Sequence, residues 1–401
     1  MSPPVLGTYP WIPKVNADPD VQTSLTAFIL GILNAYQGTQ APILVQRGER
    51  QTTADLINKL PVEVGDPLFQ AVTGGVEYRE VGNLMLPLAT PDPFADAVKA
   101  LVTRMQSNAW TGWGKQPLKI ATAASLVDEI AVITAILAGE TTASADNYLD
   151  GDSLDKGYRF FMQSRPCDPM GLASGLNSNL LTSTGSSSLG TDAGGNLDRA
   201  APLTLANIDR VRNVVRRQKS PMGVKMPDGT VTQGFYDLRW AATLVSTGQE
   251  FIARRYFDDQ GAANDMVNEN ATDTEKSAAT GSKVFPTPNT AKQYKIEVIA
   301  SPLLPDDGTW YPICVTPTIT TFPWITLTQV PARQVEFAGP QQSLGGGNGA
   351  GDLRWIIDDM TSEGYKHGTK SLPKGYVGIQ AMKYVAAALL WHMQMFKCKA
   401  A

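Results

Sequence analysis

Charge is what this sequence is short of. Charged residues make up 18% of its 401 positions, against roughly 25% in an ordinary soluble protein. Surfaces that meet other protein would explain the deficit, and so would Gly- and Ser-rich loops. Neither sign dominates: the formal net charge is −4, which excludes a global basic field that would draw the chain to nucleic acid. The local basic run Arg210, Arg212, Arg216, Arg217 and Lys219 reads as a solvated helix face. Cysteine is scarce and odd in number. Cys167, Cys314 and Cys398 lie far apart, which excludes a disulfide framework or a Cys metal spacing and fits a reducing compartment. Only two histidines occur, and neither has a metal-ligand partner at close spacing. His392 lies among Leu390, Trp391 and Met393 and reads as packed; His367 lies in a Gly- and Lys-rich loop and reads as solvated.

Secretory and membrane signals are missing as well. Met1-Ser2-Pro3-Pro4 has neither the basic n-region nor the apolar core of a signal peptide. The most apolar long stretch, Ile120–Leu137, carries Asp128 and Glu129 at its middle, where a membrane span does not normally hold such a pair. The expectation is a soluble protein made inside the cell.

Reaction motifs are missing too. There is no Walker loop and no Gly-x-Ser-x-Gly elbow. Gly345-Gly346-Gly347-Asn348-Gly349-Ala350 loosely matches a dinucleotide fingerprint, but it does not join a strand to a helix. Carboxylates are paired at Asp128-Glu129, Asp258-Asp259, Asp306-Asp307 and Asp358-Asp359. Adjacent side chains diverge on a helix and oppose on a strand, so none is a natural acid–base couple. Asp306-Asp307-Gly308 reads as turn chemistry. Asp150-Gly151-Asp152 with Asp155 resembles part of a calcium loop but lacks the closing Glu. No residue is assigned a catalytic, cofactor-binding or metal role, no cofactor is expected, and the chain reads as a non-enzyme.

What is present is a succession of α and β elements. Four prolines before residue 14 keep the start irregular, and Asp18–Tyr36 spaces Val21, Leu25, Phe28, Ile29, Ile32 and Leu33 as a helix does. Phe69–Val72 and Val76–Leu88 flank Gly74-Gly75, a hairpin signal. Pro91 and Pro93 open a helix from about Phe94 to Met105. Residues 119–138 give the strongest helical signal, with Ser125 a cap for part of it and Gly139 a stop. Its apolar residues run nearly all round, predicting burial.

Gly171–Gly195, dense in Gly, Ser, Asn and Thr, reads as a mobile surface loop. Leu203–Lys219 is a helix capped by Thr204, with Leu205, Ile208, Val211, Val214 and Val215 as its stripe. Tyr236–Leu244 reads as a strand, Thr247–Phe257 as a helix, and Ile296–Ala300, Trp310–Val315 and Ile325–Gln329 as strands. Gly345–Gly351 reads as a flexible tip. Gly378–Lys399 begins as a short strand and becomes a helical apolar run.

The order of the last third carries a resemblance. Ile296-Glu297-Val298-Ile299-Ala300-Ser301-Pro302, Asp307-Gly308-Thr309-Trp310-Tyr311, Pro323-Trp324-Ile325, Val335-Glu336-Phe337, Tyr365-Lys366-His367-Gly368 and Gly375-Tyr376-Val377-Gly378 follow one another. This succession resembles the major head subunit of Mu-like tailed bacteriophages. The middle is similar more loosely, through Leu126–Leu137, Tyr148-Leu149-Asp150-Gly151, Phe160-Phe161, Pro227-Asp228-Gly229 and Tyr236-Asp237-Leu238.

The resemblance implies an α+β Hong Kong 97-type capsid fold. It maps an amino-terminal arm to 1–60, an extended β-hairpin loop to 61–92, and a peripheral domain with its spine helix (about 119–138) to 93–202. An axial domain follows at 203–322, and 323–401 returns to the peripheral domain and the C-terminal segment. It further implies a major capsid protein that self-assembles as hexamers and pentamers into an icosahedral head. Its partners would be portal, scaffolding and cement proteins, with double-stranded DNA enclosed without sequence specificity and no membrane. The place is the virion, after assembly in the host cytoplasm. A capsid-fold nanocompartment shell and a phage tail or baseplate protein stay open as alternatives, as does a hydrolase whose site has no known motif.

Overall fold

The computed structural model describes residues 27–28, 30–32, 34–36, 42–53, 59–64, 68–70, 82–87, 91–101, 115–140, 159–167, 176–182, 186–191, 197–198, 203–228, 230–257, 266–267, 287–288, 295–329, 353–360 and 376–399. The fold is mixed α+β, with several small sheets and few helices among these residues. The chain divides into two compact units. The first is Met1–Asn58, Leu88–Thr134 and Ile325–Ala388; the second is Lys59–Pro87, Ala135–Trp324 and Leu389–Ala401.

The first unit is organised by the strand Tyr376–Leu389. On one edge it pairs antiparallel with Asp92–Leu101, from Tyr376↔Leu101 to Val385↔Asp92. On the other it pairs antiparallel with Leu353–Met360. The sheet continues through Trp324–Gln329 to Glu49–Thr53, and these last two run parallel. Two expectations are corrected here. Residues 94–101 form a strand, not a helix, because ten consecutive positions find ladder partners on the long strand. That pairing outweighs the helical preference of Ala95, Ala97 and Ala100, because propensity differs by only tenths of a kcal/mol per residue and tertiary pairing overrides it. Val385-Ala386-Ala387-Ala388-Leu389 also stays extended, as the end of the same long strand, which neighbours Trp324–Gln329 in the sheet. Among the described residues the only helix after it is the single 3₁₀ turn His392–Gln394.

The long helix spans Gln116–Ala138, starting three positions before the expected residue 119. Pro117 in its first turn costs no hydrogen bond. Gly139 stops it where a Cβ would press on the Phe161 ring and Leu389. Ser125 is no cap: it lies buried in mid-helix. The helix is also less buried than its all-round apolarity predicts. Ile120, Ala121, Ala124, Val132, Ile133 and Ile136 face inward, whereas Leu118, Leu126 and Ile130 are exposed. By length and composition it could cross a membrane, yet its middle is tied into the first unit by an ion pair described below. Helical residues within 27–36 add Phe28, Ile32 and Tyr36, one turn apart and all buried, to the same unit.

The second unit is built on a three-stranded sheet. Arg239–Ser246 is central, parallel to Glu297–Ser301 and antiparallel to Tyr311–Val315. Helix Leu205–Arg216 begins as expected, with the Thr204 hydroxyl accepting from the Asn207 amide. Its stripe of Leu205, Ile208, Val211, Val214 and Val215 is buried in the main core with Trp240, Phe257, Trp310 and Phe396. The Trp240 and Trp310 rings stack with centroids 5.8 Å apart. Glu250–Phe257 buries Ala253, Tyr256 and Phe257.

Between 61 and 92 the observed two-stranded ribbon joins Lys59–Val64 to Gly82–Pro87, antiparallel. The expected strand at 69–72 pairs elsewhere: Leu68–Gln70 runs parallel to Gly223–Lys225. Gly74-Gly75 lies outside the described residues, as do the tip Gly345–Gly351, Asp258-Asp259, the Asp150–Asp155 fragment and His367. The reading of 171–195 as a mobile loop is corrected where it is described. Leu180–Thr182 runs parallel to Lys397–Lys399, Ser186–Thr191 pairs with Leu197–Asp198, and Asn177, Ser178 and Asn179 are buried.

Candidate functional site: buried polar clusters in each unit

The first cluster holds the first unit together. Asp128 points inward from the long helix at the level of Lys383 on the central strand, and their side chains are 3% and 2% exposed. Lys383 Nζ lies 2.8 Å from the Asp128 carboxylate. It also donates to the Tyr36 hydroxyl at 2.8 Å and to the Ala124 carbonyl at 3.4 Å. All three ammonium hydrogens therefore have acceptors, which a buried charge requires. Arg50, half exposed on the strand Glu49–Thr53, stands 3.6 Å from Asp128. Helix, strand and the helical turn ending at Tyr36 thus meet on one cation.

Beside this pair lies a mainly apolar cleft of about 160 Å³ lined by Phe94, Asp96, Ile120, Leu353, Ala381 and Lys383. The Lys383 ammonium is already engaged, so the charge the cleft offers is the Asp96 carboxylate at its exposed edge.

The second unit is closed by its C-terminal segment. The Asn179 amide donates to the carbonyls of Phe160 (2.8 Å), His392 (2.9 Å) and Met395 (3.2 Å), while its oxygen accepts from the Met162 amide at 2.9 Å. One side chain thereby ties three chain segments. Asn177 makes a matching two-way bond with the backbone of Lys219, at 2.8 and 2.7 Å. Glu140, just past the end of the long helix, takes Lys397 at 2.8 Å and also Lys399. Burial raises the Glu140 pKa, but the hydrogen bonds and charges of the two lysines outweigh it and hold the carboxyl below its usual value.

The residues weighed for chemistry fall into structural positions. His392 is buried, and burial together with nearby Arg165 holds its pKa well below the usual imidazole range, so it is neutral. Burial pushes the Cys314 and Cys398 thiols up, away from the reactive thiolate. Asp306 accepts from the Ser246 hydroxyl at 2.8 Å, and Asp307 accepts from the Thr309 amide at 2.9 Å beside Gly308 at φ +82°. That is the expected turn chemistry. Asp128 and Glu129 diverge, one buried and one not. Arg210 and Arg217 of the basic run bond back onto their own helix, at Asn207 and Asn213. Among the described residues no group of three His, Cys, Asp or Glu is placed to hold a metal ion.

The sequence reading missed Lys383, Asn179 and Glu140. Only Asn179 carried a signal, a polar residue between Leu176 and Leu180-Leu181, and the Gly/Ser composition around it concealed that.

No sequence-family model matches the chain, and no curated protein does. Solved structures similar to it do exist. A chain of a virus-like particle from Pyrococcus furiosus is similar over 93% of this chain and 98% of its own length, at TM-score 0.40 and 5% identity. A chain from Microbacterium phage Oxtober96 is similar over 90% and 92%, at TM-score 0.41 and 10% identity. One from the capsid of a native GTA particle is similar over 91% and 92%, at TM-score 0.41 and 12% identity.

Proposed function

We propose that the chain is the major capsid protein of a tailed bacteriophage, with the Hong Kong 97-type fold. It self-assembles as hexamers and pentamers into the icosahedral head around double-stranded DNA, and its role is structural rather than catalytic. One observation carries the reading. The chain leaves its first unit after Thr134, builds the second through 135–324, and returns with Ile325–Ala388 to supply the strand on which the first unit's sheet is organised. This departure and return support the peripheral–axial–peripheral order that the resemblance implies, although the units change over after Thr134 rather than at residue 202, and Lys59–Pro87 and Leu389–Ala401 also fall in the second unit.

We assign the arm to 1–60, the extended loop to 61–92, the peripheral domain to 93–202 and 323–401, and the axial domain to 203–322. A two-stranded ribbon such as 59–64 with 82–87 is marginal in water by itself, and a shell supplies neighbours to pack on. Many modest contacts then add through multivalency. With a net charge of −4, the inner face meets DNA through scattered Lys and Arg, weakly and in a salt-dependent way. Portal, scaffolding and cement proteins complete the set of partners. Assembly takes place in the host cytoplasm, and the finished protein resides in the virion.

Negative-stain electron microscopy of the purified protein tests this. Closed shells, or five- and six-membered rings, are expected, and nuclease-protected DNA in particles from lysate separates a head from a cargo-holding nanocompartment. Tubes or plates would point to a tail component, and a protein that stays monomeric at high concentration would refute the proposal.

A further inference from the structure

The long helix Gln116–Ala138 turns an apolar stripe outward. Leu118, Leu126 and Ile130 are 56%, 41% and 38% exposed, and Thr122 is exposed in line with them. Residues four apart share a helix face, so these form one strip about 18 Å long at 1.5 Å per residue. Single exposed aliphatic residues are ordinary, whereas a continuous strip marks a contact surface.

The charges beside the strip are ordered. Lys115 and Lys119 are exposed at its amino-terminal end, and Glu129 is partly exposed toward its carboxy-terminal end. The order has a centre: Leu118 and Ile130, Lys119 and Glu129, and Thr122 and Leu126 each lie at equal distances either side of position 124.

We propose that this face pairs antiparallel with the same face of a second copy of the chain, across a two-fold axis at the level of Ala124. Antiparallel pairing sets the aliphatic end of one strip against that of the other. It also brings each Lys119 within side-chain reach of the partner copy's carboxylate end, and the symmetry makes the charge contact twice over. Parallel pairing would set lysine against lysine. The inference rests on the shell reading and names one of the contacts between its subunits.

Two experiments on the full chain test it. In the first, Lys119→Glu and Glu129→Lys are each expected to cut shell yield at least tenfold, and the double charge swap to restore it. Equal yield from all four proteins would overturn the contact. Far-UV circular dichroism checks that each variant is folded, and the second experiment does not depend on charge reversal. Thr122→Cys/Leu126→Cys chains, whose three native cysteines are buried, are treated with diamide, which takes two electrons and two protons as two thiols join. Disulfide-linked dimers in assembled shells support the pairing, and shells containing monomers alone sink it while leaving the capsid reading intact. A wild-type protein that never assembles would sink the capsid reading itself.

Discussion

Exchanging Lys383 for methionine removes an ammonium whose three hydrogens are directed at Tyr36, Asp128 and Ala124. Methionine fills nearly the same volume, so the cost comes from the Asp128 carboxylate left in a site where it is 3% exposed. Breaking a buried pair from one side costs about 3–5 kcal/mol. Arg50 at 3.6 Å, with 41% of its side chain in solvent, compensates in part, which puts the expectation near 3 kcal/mol. Removing both charges, with Lys383→Met and Asp128→Leu together, should return to within about 1 kcal/mol of the wild type, because the desolvation cost of the ions disappears with them. Hydrogen exchange of amides in residues 116–134, followed by mass spectrometry on the unassembled subunit, reads the local stability. The single variant should exchange about two powers of ten faster, and the double variant close to the wild type. Equal acceleration in both would refute the view that the charge left behind, rather than lost packing, is what costs. So would a single variant within about 1 kcal/mol of the wild type.

Asn179→Ala should destabilise the second unit by about 2–4 kcal/mol, since its bonds to three carbonyls and one amide are lost at once, with the Phe160 carbonyl keeping a second, longer contact from Arg165; urea denaturation measures it. His392 has its pKa depressed in the fold, so the unfolded chain binds the extra proton. Stability is full above the usual histidine value of about 6.5 and declines as pH falls below it, and His392→Gln should flatten that slope in melting temperatures taken from pH 7.5 to 5.5. Glu140 is also depressed, but its contribution is lost at lower pH, as the solution falls through the carboxylate range toward the folded value. Acid should therefore loosen the C-terminal strand Lys397–Lys399 in a second step that Glu140→Gln removes, seen as faster amide exchange there. At Gly248 an added Cβ would run into the Asp306 carboxylate that the Ser246 hydroxyl bonds; Gly248→Ala should lower stability by about 1–3 kcal/mol, readable as a fall in melting temperature.

Elements held by local rules could be read from the sequence. Thr204 and the stripe from Leu205 to Val215 define their helix through a cap and a 3.6 period, and both are found in place. The turn at Asp306-Asp307-Gly308 is local in the same sense where Asp307 bonds the amide two residues on and Gly308 takes a positive φ, whereas the Asp306 bond to Ser246 reaches 60 residues along the chain. The strands at 297–301, 311–315 and 324–329 declared themselves by β-branched and aromatic content.

Tertiary structure decided everything whose energy comes from a distant partner. Residues 94–101 and 385–389 are rich in alanine, a good helix former, and are extended because they lie in strands of the first unit's sheet, where 92–101 ladders with 376–385. Asn179 looked like loop because its four bonds reach 17 to 216 residues along the chain. Lys383 and Asp128 are 255 residues apart, and no spacing rule links them; only the packing of helix on strand makes one the counter-ion of the other. The sequence alone set the helix Gln116–Ala138 as long and apolar. Which side of it is core and which is strip depended on where the sheet lies, and with that the tertiary structure also chose the face that is left for a partner.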